Sequence, residues 1–177
     1  MRRLATVCIL ALAIGAAACD DDPPTNPSPN PNPNTGPLRF TAQLSPANEV
    51  PPVTNAESVA TGTVTITMNV PRDANTGAVT GGGTVDFAVQ INNFPAGSSY
   101  TAAHIHPGRA GVNGGALVNL NLTTTPINTN ATINVTGINI NQQNATDIAN
   151  DWVGWYFNVH TQLNPGGVLR GQLVKQP

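Results

Sequence analysis

Along most of this chain, apolar side chains recur at every second position in short runs separated by turn residues. That spacing decides the fold class, because a strand sends successive side chains to opposite faces whereas a helix repeats every 3.6 residues. Val64, Ile66, Met68 and Val70 share one face of such a run, with Thr63, Thr65, Thr67 and Asn69 opposite. Leu38, Phe40, Ala42 and Leu44 precede it with the same period, and Val85, Phe87, Val89 and Ile91 follow. Between the second and third runs, residues 71–77 contain Asn75-Thr76-Gly77, turn chemistry that predicts a hairpin with one buried face. Less regular alternation over residues 99–106, 116–122, 131–140, 155–161 and 168–174 brings the expectation to about eight strands. Only residues 144–152 depart from it. There Asn144 can cap, Asp147 follows three residues later, and Ala145, Ile148, Ala149 and Trp152 fall at helical spacing. The expected fold is all-β: an antiparallel sandwich or barrel with one short helix.

The strands begin only at Leu38, and what precedes them has a different logic. Arg2 and Arg3 lead an apolar run, Leu4 to Ile14, which passes into Gly15-Ala16-Ala17-Ala18 and then Cys19. This is a secretory leader pattern, too short to cross a hydrocarbon layer of about 30 Å. Cys19 directly after small residues resembles the bacterial lipobox, in which the Cys becomes the acylated first residue, with Ala16 where that motif prefers Leu. Ordinary cleavage after Ala-x-Ala is the alternative. Both cysteines of the chain, Cys8 and Cys19, lie in this segment, so the β domain has none to bridge. Asp20-Asp21-Asp22 follows, then a Pro/Asn-rich stretch from Pro23 to Pro37 that lacks the apolar side chains of a core. Extended at about 3.1 Å per residue it would reach roughly 45 Å. The expected organisation is a lipoprotein signal peptide over residues 1–18, a disordered acidic then Pro/Asn-rich stalk over 19–37, and one domain over 38–177. It places the protein in the bacterial cell envelope, extracytoplasmic and held to a membrane by its lipid, either in the periplasm or at the cell surface.

Charge is scarce: charged residues make up 9% of the chain, against about 25% in an ordinary domain. With Arg2 and Arg3 in the leader and three acids beside Cys19, five of the seven basic and six of the nine acidic residues remain for the domain. No basic run exists to neutralise phosphates, which argues against a nucleic-acid partner. Nucleophilic catalysis finds no Gly-x-Ser-x-Gly and no cysteine in the domain. The domain carboxylates, Glu49, Glu57, Asp73, Asp86, Asp147 and Asp151, read mostly as turn-like or exposed, and paired carboxylates for glycoside chemistry are scarce.

Three histidines remain, and they are not scattered. His104 and His106 flank Ile105, so on a strand they project from one face about 6 to 7 Å apart. His160 lies opposite the apolar set Trp155, Phe157 and Val159. All three therefore point away from the core, and three neutral imidazoles meeting on one ion would suit copper or zinc. The competing reading makes them hydrogen-bonded loop anchors. Arg170 is the one charge inside a late strand, expected to pair with Glu49 or another acid.

Four segments together carry a resemblance. Leu44-Ser45-Pro46-Ala47-Asn48-Glu49-Val50-Pro51-Pro52-Val53 comes first; His104-Ile105-His106-Pro107-Gly108 follows, with Gly111-Val112-Asn113-Gly114. Tyr156-Phe157-Asn158-Val159-His160-Thr161 and Pro165-Gly166-Gly167-Val168-Leu169-Arg170-Gly171-Gln172-Leu173 complete them. In this order they resemble the CHRD domain, the repeat first noted in chordin and found in bacterial secreted proteins and lipoproteins. The resemblance implies an immunoglobulin-like β-sandwich or barrel, distantly similar to copper/zinc superoxide dismutase. A two-metal dismutase site, however, needs more histidines than three. The reading that follows is a lipid-anchored binding module for an unidentified protein or small molecule, leaning away from an enzyme. In it His104, His106 and His160 hold copper or zinc. A copper-only redox enzyme of dismutase type and a purely structural or adhesive domain are the alternatives.

Overall fold

The computed structural model describes Asn32 and residues 34–177. The expected signal peptide, Cys19 and most of the expected stalk lie outside the described residues. Two antiparallel sheets face each other, with one short helix at their margin. The first sheet contains β1 (Leu38–Leu44), β2 (Thr61–Asn69), β3 (Gly83–Asn92) and, after an excursion into the second sheet, β7 (Ala131–Ile140). The second is built from β4 (Ser99–Pro107), the two-residue β5 (Val118–Asn119) and β6 (Thr125–Pro126), β8 (Trp155–Thr161) and β9 (Leu169–Gln172). A final short strand, β10 (Val174–Lys175), returns to the first sheet beside β1. The strand orders are β10-β1-β2-β3-β7 and β5-β4-β8-β9, with β6 on β4.

The alternation does what it promises. Val64, Ile66 and Met68 on β2, Phe40 on β1 and Val85, Phe87, Val89 and Ile91 on β3 are buried, while Thr61, Thr63 and Thr65 face outward. Their sheet meets the second through Ile105, Phe157, Val159 and Leu169. Phe87 and Phe157 stack across the gap with ring centroids 5.9 Å apart. Along one side the sheets are stitched together, since Ser45 at the end of β1 exchanges backbone hydrogen bonds with Arg170 on β9 at 3.0 and 3.3 Å.

The helix, α1 (Gln142–Asn150), begins two residues before the sequence reading places it. Asn141, not Asn144, is the cap, and its side chain accepts from the Asn144 N–H at 2.8 Å. Both asparagines have capping chemistry, and the difference is that Ala145 and Ile148 must face the core from a helix fed directly by β7. Strand 116–122 shrinks to Val118–Asn119, and 168–174 splits around Leu173 into β9 and β10. At the other end, Asn32 and Asn34 donate side-chain hydrogen bonds to the Ala74 and Asn75 carbonyls of the β2–β3 connection at 3.0 to 3.2 Å.

The second sheet departs most from simple alternation. All seven residues of β8 are buried, on both faces. One face meets the sandwich core; the other is roofed by the loops 45–55, 108–115 and 163–167, which leave a polar layer beneath them. The histidines lie under that roof.

Candidate metal centre

The strand register fixes where the histidines meet. On β4 and β8, His104 pairs with Asn158, His106 with Tyr156 and Ala102 with His160. His160 is thus a diagonal neighbour of His104, within reach of a long side chain on the same face. The face is the one opposite Ile105, Phe157 and Val159, as their alternation requires. His106 and His160 are buried and His104 is half-buried.

One ring nitrogen from each of His104, His106 and His160 lies within 4.8 Å of the others. His104 Nδ1 and His160 Nε2 are 2.9 Å apart. The hydrogen bonds behind them assign the protons. His160 Nδ1 lies 2.9 Å from the Pro165 carbonyl oxygen, and His106 Nδ1 lies 2.9 Å from that of Gly114. A carbonyl only accepts, so both Nδ1 atoms donate and both Nε2 atoms of the neutral rings carry lone pairs. The short contact between the other pair is then His104 Nδ1–H donating to His160 Nε2. Burial keeps the three rings neutral: His104 is pushed down to about 4 by desolvation first and then by its two histidine neighbours. His106 and His160 are also lowered, chiefly by desolvation.

These dimensions fit an ion. Metal–nitrogen bonds of about 2.0 to 2.1 Å allow two ligand nitrogens to stand up to roughly 4.2 Å apart. That is the collinear case; a tetrahedral set stands its nitrogens about 3.4 Å apart, so drawing in nitrogens up to 4.8 Å apart takes shifts of about an ångström, and the His104–His160 pair at 2.9 Å must part with the His104 proton moved to Nε2. Such a centre could bind copper or zinc through neutral imidazole.

Arg170 and Glu49 complete the layer, but not as an ion pair. Arg170, 1% exposed, donates to Asn113 Oδ1 at 2.9 Å and to the carbonyls of Arg109 and Val112 at 3.0 and 2.7 Å. Its guanidinium carbon stands 3.5 Å over the Tyr156 ring. The one salt bridge among the described residues is instead the exposed Arg109–Asp151 pair. Arg170 clasps the 108–115 loop, which presents the Gly114 carbonyl to His106; its planar fork is spent on these three oxygens. Glu49 and Glu57 also correct the sequence reading, which took them as turn-like or exposed, for they are 6% and 1% exposed. Their loops fold back onto the second sheet, where Glu57 Oε2 accepts from Thr161 Oγ1 and Asn164 Nδ2 at 2.6 and 2.7 Å. Glu49 is pushed up to about 7, because desolvation outweighs the opposing Arg170 charge and a hydrogen bond from Asn158.

A family model, described as the CHRD domain, matches residues 40–173. The chain belongs to the CHRD domain family. Comparison with curated proteins and with solved structures returns no match. The span of the CHRD match takes in every residue of the centre, from Glu49 to Arg170. Sequence reading missed Asn158, Gly114 and Pro165. The signal for Asn158 was present, as a polar residue two before His160 on an otherwise apolar strand. For Gly114 and Pro165, which act through backbone oxygens, the side-chain sequence carries none.

Proposed function

We propose that this protein is an extracytoplasmic, lipid-anchored CHRD module that holds one transition-metal ion, copper or zinc, through His104, His106 and His160. One observation carries the metal reading: His106 and His160 each commit Nδ1 to a backbone carbonyl, which turns both Nε2 lone pairs into the group, that of His160 accepting from His104 Nδ1–H in a bond the ion would replace. Metal-ligating histidines are held this way, with the second nitrogen fixed so that the ring keeps its tautomer and aim. Loop anchoring alone would not require three imidazoles gathered within 4.8 Å and kept neutral in a buried layer. When bound, the ion would supply a Lewis-acidic point on a domain otherwise poor in charge. The protein's residues orient the ligands, exclude bulk water beneath three loops and keep the rings uncharged.

The anchor reading rests on Cys19 following a short apolar run and small residues, with a polar, proline-rich segment after it. Expressed with its leader, the protein should partition into the detergent phase and carry copper or zinc near one equivalent. Cys19→Ser should move it to the aqueous phase with its metal retained. Aqueous partitioning of the unaltered protein would overturn the anchor, and metal content unchanged by His-to-Gln replacement would overturn the centre.

A further inference from the structure

Asn158 stands at the middle of the histidine group. It faces His104 directly across the β4–β8 ladder, His160 lies two residues on along the same face, and its Oδ1 is 3.0 Å from His106 Nε2. Its side chain is anchored at the opposite end. The amide nitrogen lies beside the Glu49 carboxyl, and both groups rest on the bare Cα of Gly167, where a Cβ would meet the Glu49 oxygens at 2.6 and 2.7 Å and Asn158 Nδ2 at 2.7 Å. Gly167 has φ +130, so glycine is required there for conformation as well as space. Nδ2 thus lies on the Glu49 side of the amide and Oδ1 on the side of the ring.

That arrangement sets two acceptors against each other. His106 Nδ1 spends its proton on Gly114, so the lone pair of Nε2 in the neutral ring confronts the Oδ1 lone pair at hydrogen-bond distance, in a residue 2% exposed. Two buried lone pairs facing at 3.0 Å call for a cation that both can touch. A nitrogen and an oxygen at that separation can share one ion at bond lengths of about 2.1 Å with an angle near 90°.

Resting on the three-histidine reading above, we infer that the Asn158 amide oxygen is the fourth donor of the centre, completing a set of three nitrogens and one oxygen. Glu49 is its positioning residue, fixing which end of the amide faces the ion and setting a carboxyl one hydrogen bond behind it. Glu49 Oε1, the one buried polar side-chain atom without a partner among the described residues, belongs to that carboxyl. No covalent bond changes in this step; the ion takes two lone pairs that otherwise repel.

The test uses the full chain, titrated with Cu(II) and with Zn(II). Asn158→Ala should weaken binding by at least about tenfold, the order of loss seen when a supporting group of a metal site is removed. Its Cu(II) electron paramagnetic resonance should keep coupling to three nitrogens while the parallel g value and hyperfine splitting change. Equal or tighter binding with an unchanged spectrum would overturn the fourth donor while leaving the histidines as ligands. If neither the unaltered chain nor the variant binds metal, the three-histidine reading fails and takes this one with it. Should the variant fail to fold, the unaltered chain still decides: on Zn(II) addition, the Asn158 side-chain carbonyl resonance should move together with the imidazole nitrogens. An unmoved Asn158 resonance would overturn the inference.

Discussion

Burial penalises whichever form of a side chain is charged, so it shifts acids and bases in opposite directions, and both kinds sit under the same loops here. Glu49 is raised from 4.5 to about 7, which means folding disfavours its ionised form. Its contribution is therefore fully present below about pH 4.5 and lost as pH rises through 7, a swing of roughly 3 kcal/mol at most. His104, lowered from 6.5 to about 4, works the other way: its contribution is present above 6.5 and lost as pH falls toward 4. The two nearly cancel in the unaltered protein. Glu49→Gln removes the acid's share alone, so the melting temperature of this variant relative to the unaltered chain should climb between pH 4.5 and 8; a difference that stays constant across that range would refute the shift. Arg170 poses a different question at the same scale. Replacing it with Met leaves Asn113 Oδ1 and two backbone carbonyls without a buried donor, and denaturant unfolding should register a loss of about 3 kcal/mol or more. A loss below 1 kcal/mol would mean water replaces the clasp.

At the scale of elements, β4 and β8 carry the side chains of the centre and the loop 108–115 holds one of them in place. A Cβ on Gly114 would run into the Pro107 carbonyl oxygen, so Gly114→Ala must move the loop and with it the oxygen that fixes His106. Metal affinity measured by competition with a chelator should fall about tenfold with all three histidines intact; an unchanged affinity would detach the loop from the centre. Such dependence explains what the sequence could and could not disclose. Strands β1, β2 and β3 were legible because one alternating apolar set makes each of them, and the histidines were legible because i and i+2 share a face. The roof was not. Loops 45–55, 108–115 and 163–167 have no period, and their positions follow from long-range bonds such as Asn113 Nδ2 to the Val50 carbonyl. For that reason Glu49 and Glu57 read as loop acids, and Arg170 as half of an ion pair. β5 and β6, of two residues each, are too short for any period to show.

Across the whole molecule, scarce charge has a structural counterpart. Thr and Asn cover the outer face of the first sheet, while the second sheet buries His, Asn, Glu and Arg under its loops. A domain of this size gains nothing in stability from hiding so many polar groups, since each must be paired at a cost in desolvation. Their retention in one layer is understandable if the layer binds something, and the occupant proposed above is a transition metal held by three neutral imidazoles. Isothermal titration of the metal-stripped full-length protein with Cu(II) and Zn(II), beside the variant with His104, His106 and His160 all replaced by Gln, tests this most directly. One ion per chain should bind to the unaltered protein and none to the variant, with both folded by circular dichroism. Equal binding by the two proteins, or no binding by either, would contradict a metal centre at these residues.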